Sequence, residues 1–299
     1  MLTDFLTDRV SVRAALWMSV ASLLVALSAA CVRELSENYS IFQLVFLRNL
    51  IGTTLLSPWI IKMGRGGSLK TSRLKLYMLR TVLSYSGMVC VFYGFANMPL
   101  GEVYTLLFLV PLITVLLAVI ILGEKAGRQA WLACGLGFIG AMVVLRPGII
   151  SISLAAGAVL YTAASYAAVN ICIKYISKTD TPVQITVYGH GLALPVALLP
   201  ALVVWKTPTW EDLPWILALA ALQLLSALSH ARAVSAADAR VVQPFNFLRL
   251  PFSVLIAWLL FSELPSEWTW LGAILIFAGS YYTIYSENRQ KQRPKNIET

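Results

Sequence analysis

Apolar residues run along this chain in blocks of about 17–23, separated by short polar stretches. The blocks lie at about 14–32, 39–61, 76–98, 103–123, 129–146, 152–173, 183–205, 213–231, 241–262 and 268–286. An α-helix rises about 1.5 Å per residue, so about 20 apolar residues cross the hydrocarbon core of a bilayer. Inside lipid every backbone N–H and C=O must be satisfied within its own segment, which leaves the helix as the form such a block takes. The pattern predicts an all-α integral membrane protein of ten transmembrane helices. The connections are so short that neighbouring helices must form antiparallel hairpins, with no room for a soluble catalytic domain.

The pattern also repeats. "WLACGLGFIG" from Trp131 and "WLGAILIFAG" from Trp270 share their Trp, Leu and final Gly positions, 139 residues apart. At the same offset Leu109–Glu124 aligns with Leu248–Glu263. A duplicated half is therefore expected, with boundaries at 12–148 and 151–287 and a polar tail at 288–299. Each half holds an odd number of helices, so the second enters the membrane upside down. Inverted repeats of this kind underlie many secondary transporters.

Charge fixes the orientation. Counted with the N-terminus inside, seventeen Lys and Arg fall in cytoplasmic segments and three (Arg33, Arg146, Lys206) in external loops. This asymmetry places both termini in the cytoplasm. Composition agrees: 59% of residues are hydrophobic and 12% charged, and mean hydropathy is +0.76. The formal net charge of +9 is spread over short loops rather than one face, which argues against a nucleic-acid partner. Cys31, Cys90, Cys134 and Cys172 show no metal-ligand or disulfide spacing, so no metal and no cofactor is expected. Trp205, Trp210, Trp215, Trp268 and Trp270 stand at block ends, where tryptophan anchors a helix at the interface.

Several stretches resemble the drug/metabolite transporter superfamily, in particular its EamA type. They are the two five-helix halves, the run from Pro111 to Glu124 ending in "GE", "GFIGAMVVLRPG" from Gly137 to Gly148, and Arg48 within the second block. "LKTSR" from Leu69, "LRTVLSYSGMVCVFYGFANMPL" from Leu79 and "QPFNFLRLPFSVLIAWLLFSELP" from Gln243 are similar to a subgroup of bacterial carriers for S-adenosylmethionine, riboflavin and other amino-acid-derived metabolites. The resemblance implies a ten-helix bundle with a central cavity between the halves. The second half departs from the first in one respect: Leu250-Pro251 stands where Pro111-Leu112 is found, so the proline kink is shifted by one residue.

Three arginines lie within blocks. A charge at membrane depth costs about 2.5–3.5 kcal/mol on insertion scales, so such residues face the bundle interior. Arg48 and Arg249 admit two readings: bidentate binding of a substrate carboxylate or phosphate, or capping of backbone carbonyls freed at Pro244 and Pro251. Arg80, one turn from a block end, can snorkel and reads as structural. Gln243, Asn246 and Arg249, three residues apart, sweep about a third of a helix circumference and form a polar strip. Rings that can stack on a planar or cationic ligand are Tyr85, Tyr93, Tyr104, Phe108 and Tyr166, with Asn170 one turn beyond the last. The alternative for these is packing against neighbouring helices.

His190 and His230 can titrate near neutral pH. No Asp or Glu lies deep within a block, which points to facilitated transport, exchange, or coupling through His190. Glu102, at a helix end, and the paired Glu124 and Glu263 read as structural. All five Asp lie outside the blocks, which removes the intramembrane aspartyl protease, and no nucleophilic motif stands out; an enzyme is not expected. The expectation is a secondary carrier working by alternating access in the inner membrane. Its substrate is a small organic metabolite, amino-acid-derived or aromatic, with an anionic group, and export stands slightly ahead of uptake or exchange of S-adenosylmethionine- or riboflavin-like metabolites. A channel or non-transporting receptor is the remaining class. Substrate and lipid are the expected partners, and a homodimer is compatible with this reading.

Overall fold

A computed structural model describes residues 9–64, 71–123, 128–146, 153–180, 182–236 and 243–278, which are helical with short connections and no strand among them. The tail from residue 288, and Glu124, lie outside the described residues. The helices are α1 (Arg9–Leu35), α2 (Ile41–Gly64), α3 (Leu74–Asn97), α4 (Leu100–Leu107), α5 (Val110–Leu122), α6 (Arg128–Leu145), α7 (Leu154–Ile176), α8 (Pro182–Val203), α9 (Leu213–Ala236) and α10 (Arg249–Phe261), followed by α11 (Glu267–Ala278). A 3-10 helix, Gln243–Leu248, leads into α10. Among the described residues five spans are long and apolar enough to cross a membrane: Val12–Leu35, Leu74–Asn97, Leu100–Leu122, Leu154–Ile176 and Leu213–His230. Shorter apolar helices fall in the other predicted blocks.

Two blocks expected as continuous helices are broken. The fourth splits at Phe108–Leu109 into α4 and α5, where the Phe108 N–H reaches back to both the Tyr104 and Thr105 carbonyls at 3.2 Å. The ninth changes from 3-10 to α-helix between Leu248 and Arg249. Proline explains both. Pro111 and Pro251 lack the N–H that the carbonyl four residues earlier requires, so the ladder is interrupted at Leu107 and Phe247. Although the prolines are offset by one residue, the two breaks stand at equivalent places in the 139-residue repeat. The equivalence extends to the far ends: α5 is capped by Gly123 at φ 67° and α10 by Ser262 at φ 55°, both left-handed.

Helix packing follows the same register. The most extensive contacts are α1 along α9 and α3 along α7; at the repeat offset α1 corresponds to α7 and α3 to α9. The second helices, α2 and α8, touch each other, and so do the fourth, α4 and α10. The α6–α11 crossing is set by two glycines. A Cβ on Gly140 would lie 2.9 Å from the Gly272 carbonyl oxygen, and one on Gly272 would lie 2.7 Å from the Gly140 oxygen. Close backbone approach of this kind is how helices associate in lipid, where no hydrophobic force drives them together.

Hydroxyls fasten the long pairs. Thr162 donates to the Gly87 carbonyl at 2.9 Å and Ser165 to the Leu83 carbonyl at 2.6 Å, joining α7 to α3. Ser226 donates to the Ala21 carbonyl at 2.9 Å and Gln223 to Ser28 Oγ at 2.7 Å, joining α9 to α1. Arg80 donates to the Ile185 carbonyl at 3.1 Å and so ties α3 to α8. Gly189 leaves room for that guanidinium, since a Cβ there would fall 2.5 Å from Arg80 Nη1. The tryptophans at block ends are open to the surroundings, Trp210 most of all.

Polar clusters close both ends of the bundle. At the end of the α1–α2 turn, Arg33 grips Glu263 through two parallel hydrogen bonds and lies over the Phe261 ring, 4.8 Å from its centroid. Glu263 thus joins the α10–α11 connection to α1, a partner its place in the repeat did not reveal. Nearby, Tyr39 donates to Asp212 at 2.7 Å. At the opposite end Asp180, after α7, accepts from Thr71, Thr179 and Tyr77.

The hydrogen bond from Thr71, with those from Thr179 and Tyr77 behind it, holds the Asp180 carboxylate below its ordinary value of 3.8. A depressed native value contributes stability that is complete above 3.8 and is lost as pH falls below it. Asp180→Asn is expected to lower the unfolding temperature at pH 7 and to flatten its fall as pH drops below 3.8. Thermal unfolding of the purified carrier against pH checks this; parallel curves for the two proteins would remove Asp180 from that role.

Candidate substrate site

The centre of the bundle gathers charge around one tyrosine. Arg48 projects from α2, Tyr166 from α7, and Arg249 is the first residue of α10. Each arginine lies within electrostatic reach of Tyr166, and Arg249 also of Tyr104 and of His230. The break in the ninth block is what delivers Arg249 there, because α10 begins at that residue. Gly87 makes room for the tyrosine: a Cβ on it would stand 3.0 Å from Tyr166 Cε1.

The arginines have few partners. Arg48 touches the Met88 sulfur, and among the described residues neither guanidinium meets a carboxylate. The Arg249 Nε is buried with no hydrogen-bond partner among the described residues, and so is the Tyr85 hydroxyl on α3. Buried polar atoms are normally satisfied. An unsatisfied N–H on a buried guanidinium leaves Arg249 able to donate to an acceptor.

The remaining candidates are distributed around this centre. Tyr104 is buried, with its hydroxyl on the Val25 carbonyl at 3.1 Å and its ring against Phe95. Asn246 is half-buried on the 3-10 helix. Gln243 precedes it by three residues; a 3-10 turn stacks such positions in line rather than sweeping them around the axis, which changes the expected strip. Asn170 is exposed and donates to Thr114 Oγ1 at 3.3 Å. The side chains of His190 and Gln243 lie outside the described residues.

Two cavities are lined by others of the candidates. One, of about 630 Å³, lies between α2, α3 and α7 at the α1–α2 end; Glu37, Phe42, Cys90, Tyr93 and Asn97 are among its walls. On α3, Cys90 lies within one turn of Met88, which Arg48 touches, and of Gly87, beside which the Tyr166 ring stands. The other, of about 440 Å³, is apolar and lined by Phe108, Phe247, Trp270 and Phe277. Phe108 and Phe247 occupy equivalent repeat positions at the two helix breaks. Their rings meet edge to face at 4.8 Å, and Phe247 meets Phe277 at 4.4 Å. Phe247 and Phe277 were not among the sequence candidates, although the repeat that pairs Phe108 with Phe247 was a signal for them.

Comparison with known proteins agrees with this architecture. A riboflavin transporter of Vibrio cholerae is 30% identical over 288 residues, covering 95% of this chain and 96% of that one. An S-adenosylmethionine uptake transporter of Rickettsia prowazekii is 27% identical over 91% of this chain and 92% of its own. A pseudopaline exporter of Pseudomonas aeruginosa is 26% identical over 86% and 90%. A solved crystal structure, 15% identical, shares the fold with a TM-score of 0.59 over 95% of this chain and 98% of that one. The EamA-like transporter family matches the sequence twice, over residues 12–146 and 153–285. The chain belongs to the EamA-like transporter family: it is a multi-pass membrane transporter of small molecules and not an enzyme.

Proposed function

We propose that the chain is a secondary carrier of the inner membrane that takes up or exchanges an aromatic or amino-acid-derived metabolite with an anionic group. The observation that carries this is the pair of membrane-depth arginines flanking Tyr166 without a carboxylate partner among the described residues. Guanidinium groups bind carboxylate or phosphate by paired charge-assisted hydrogen bonds. Tyr166 and Tyr85 add ring faces and hydroxyls for the rest of the molecule. The uptake reading follows the riboflavin and S-adenosylmethionine relatives; the pseudopaline exporter supports outward movement as the second reading.

Alternating access suits this chain because equivalent helices of the two sequence halves contact one another across the centre. Two such halves, inserted in opposite senses as ten spans with both termini cytoplasmic, exchange conformations to open one side or the other. Energy then comes from a gradient or from the exchanged solute. No acidic relay is available at membrane depth, so exchange or facilitated movement is the simplest mode.

Counterflow in proteoliposomes tests the function. Vesicles preloaded with unlabelled riboflavin or S-adenosylmethionine are expected to accumulate the matching labelled compound, and vesicles lacking the protein are not. Equal accumulation in both would reject that substrate. If neither compound, nor any anionic metabolite offered at the same concentration, exchanges, the carrier assignment at this site fails.

A further inference from the structure

The cleft of about 630 Å³ has a chemistry different from that of the arginine centre. Its one charged wall residue is the carboxylate of Glu37, and beside it stand the Asn97 amide and the rings of Phe42 and Tyr93. Glu37 and Asn97 are exposed, Phe42 is 38% exposed and Tyr93 half-buried, so these groups are presented rather than packed away. A carboxylate and an amide oxygen accept N–H donors, and a ring face takes a planar or cationic group. The cleft's α3 wall reaches Cys90, and within one turn of Cys90 on that helix stand Met88, which Arg48 touches, and Gly87, beside which the Tyr166 ring lies.

The helix provides a ruler. Ile41 and Phe42 begin α2 at the rim and Arg48 lies farther along the same helix. Six to seven residues at about 1.5 Å per residue put the rim about 10 Å from the arginine level. A free amino acid is too short to touch both levels at once.

Building on the reading of the arginines as an anion site, we infer that the cleft and that centre form one elongated binding site for a bipartite metabolite. The anionic end lies at Arg48 and Arg249. A planar nitrogen heterocycle lies about 10 Å away, stacked on Phe42 and Tyr93, with its N–H donors on Glu37 and Asn97. The site selects length as well as charge: neither the ring alone nor the acid alone fills both levels.

Cys90 is a native reporter, since it lines the cleft and is a free thiol. The test measures its reaction with water-soluble methanethiosulfonates in the wild-type carrier, with the modified position read by peptide mass spectrometry. S-adenosylmethionine, at several times its dissociation constant, is expected to slow modification about fivefold, as occupancy requires. Methionine and adenine at the same concentrations are expected to leave the rate unchanged. Phe42→Ala and Glu37→Gln are expected to remove the protection while the carrier still unfolds at the wild-type temperature.

The inference is overturned by a Cys90 inert to the reagent, by no protection from S-adenosylmethionine, or by equal protection from a fragment. It is also overturned if both variants keep full protection. The two readings fail separately. Transport that requires Arg249, with Cys90 unprotected, retains the anion site and rejects the cleft. Protection that persists when transport survives the loss of Arg249 retains the cleft and rejects the anion site.

Discussion

Replacing Arg249 by leucine is expected to lower transport about 10- to 100-fold and yet raise the unfolding temperature. The two effects have one cause. The Arg249 Nε is buried without a hydrogen-bond partner among the described residues, and no carboxylate there neutralises the charge. An arginine at membrane depth costs about 2.5–3.5 kcal/mol on insertion scales, whereas leucine is slightly favourable. Each kilocalorie recovered raises the unfolding temperature of a chain this large by about 2–4 °C. A hydrogen bond to a charged group contributes about 1.5–3 kcal/mol, so losing it from the substrate complex lowers transport efficiency about 10- to 100-fold. Paired measurements of initial uptake and thermal unfolding on the same preparation check both. A variant that transports normally but melts early would make Arg249 a structural residue and withdraw it from the site.

Gly140→Ala is expected to damage the fold through a single added methyl group. Its Cβ would lie 2.6 Å from Ile276 Cγ1, 2.9 Å from the Gly272 carbonyl oxygen and 3.0 Å from the Ile276 nitrogen. Two of these neighbours are backbone and cannot rotate away. Overpacking of this kind costs about 1–3 kcal/mol, and here it separates α6 from α11. Gly135→Ala on the same helix is the control: nothing stands within 4 Å of its Cβ. It is expected to stabilise slightly, by the roughly 0.5–1 kcal/mol that alanine gains over glycine in a helix interior. Monodispersity and unfolding temperature in detergent distinguish the two. Equal behaviour would mean that the α6–α11 crossing is not held by backbone approach.

Hydrophobic length was sufficient to locate the helices, because lipid offers a backbone no other way to satisfy its hydrogen bonds. The repeat was legible too, since Trp131 and Trp270, Glu124 and Glu263, and Gly140 and Gly279 recur at one offset. Even the arginines announced themselves: a charge deep in an apolar block has no solvated alternative, so Arg48 and Arg249 had to be read as interior groups, while Arg80, near a block end, was read as a structural residue able to snorkel. Their partners were not legible. Arg80 bonds the backbone of α8, 105 residues away in sequence, while Arg48 and Arg249 converge on Tyr166. Nothing in the local pattern distinguishes these fates, because which helix face meets which neighbour is settled by packing between distant segments.

The rings show the same division. Spacing placed Tyr104 and Tyr166 equally well at a binding site, yet in the bundle the Tyr104 hydroxyl is held by the Val25 carbonyl while Tyr166 lies within reach of two cations. Pro111 and Pro251 foretold interruptions, since a missing N–H is a property of one residue. That the breaks bring Phe108 against Phe247 required the two halves to be folded together. By itself the sequence determined what is periodic or costly for each segment alone: helices, repeat, and the burial of charge. Only the tertiary structure decided which buried groups are satisfied and which have no partner among the described residues, because satisfaction is a property of pairs brought together across the whole chain.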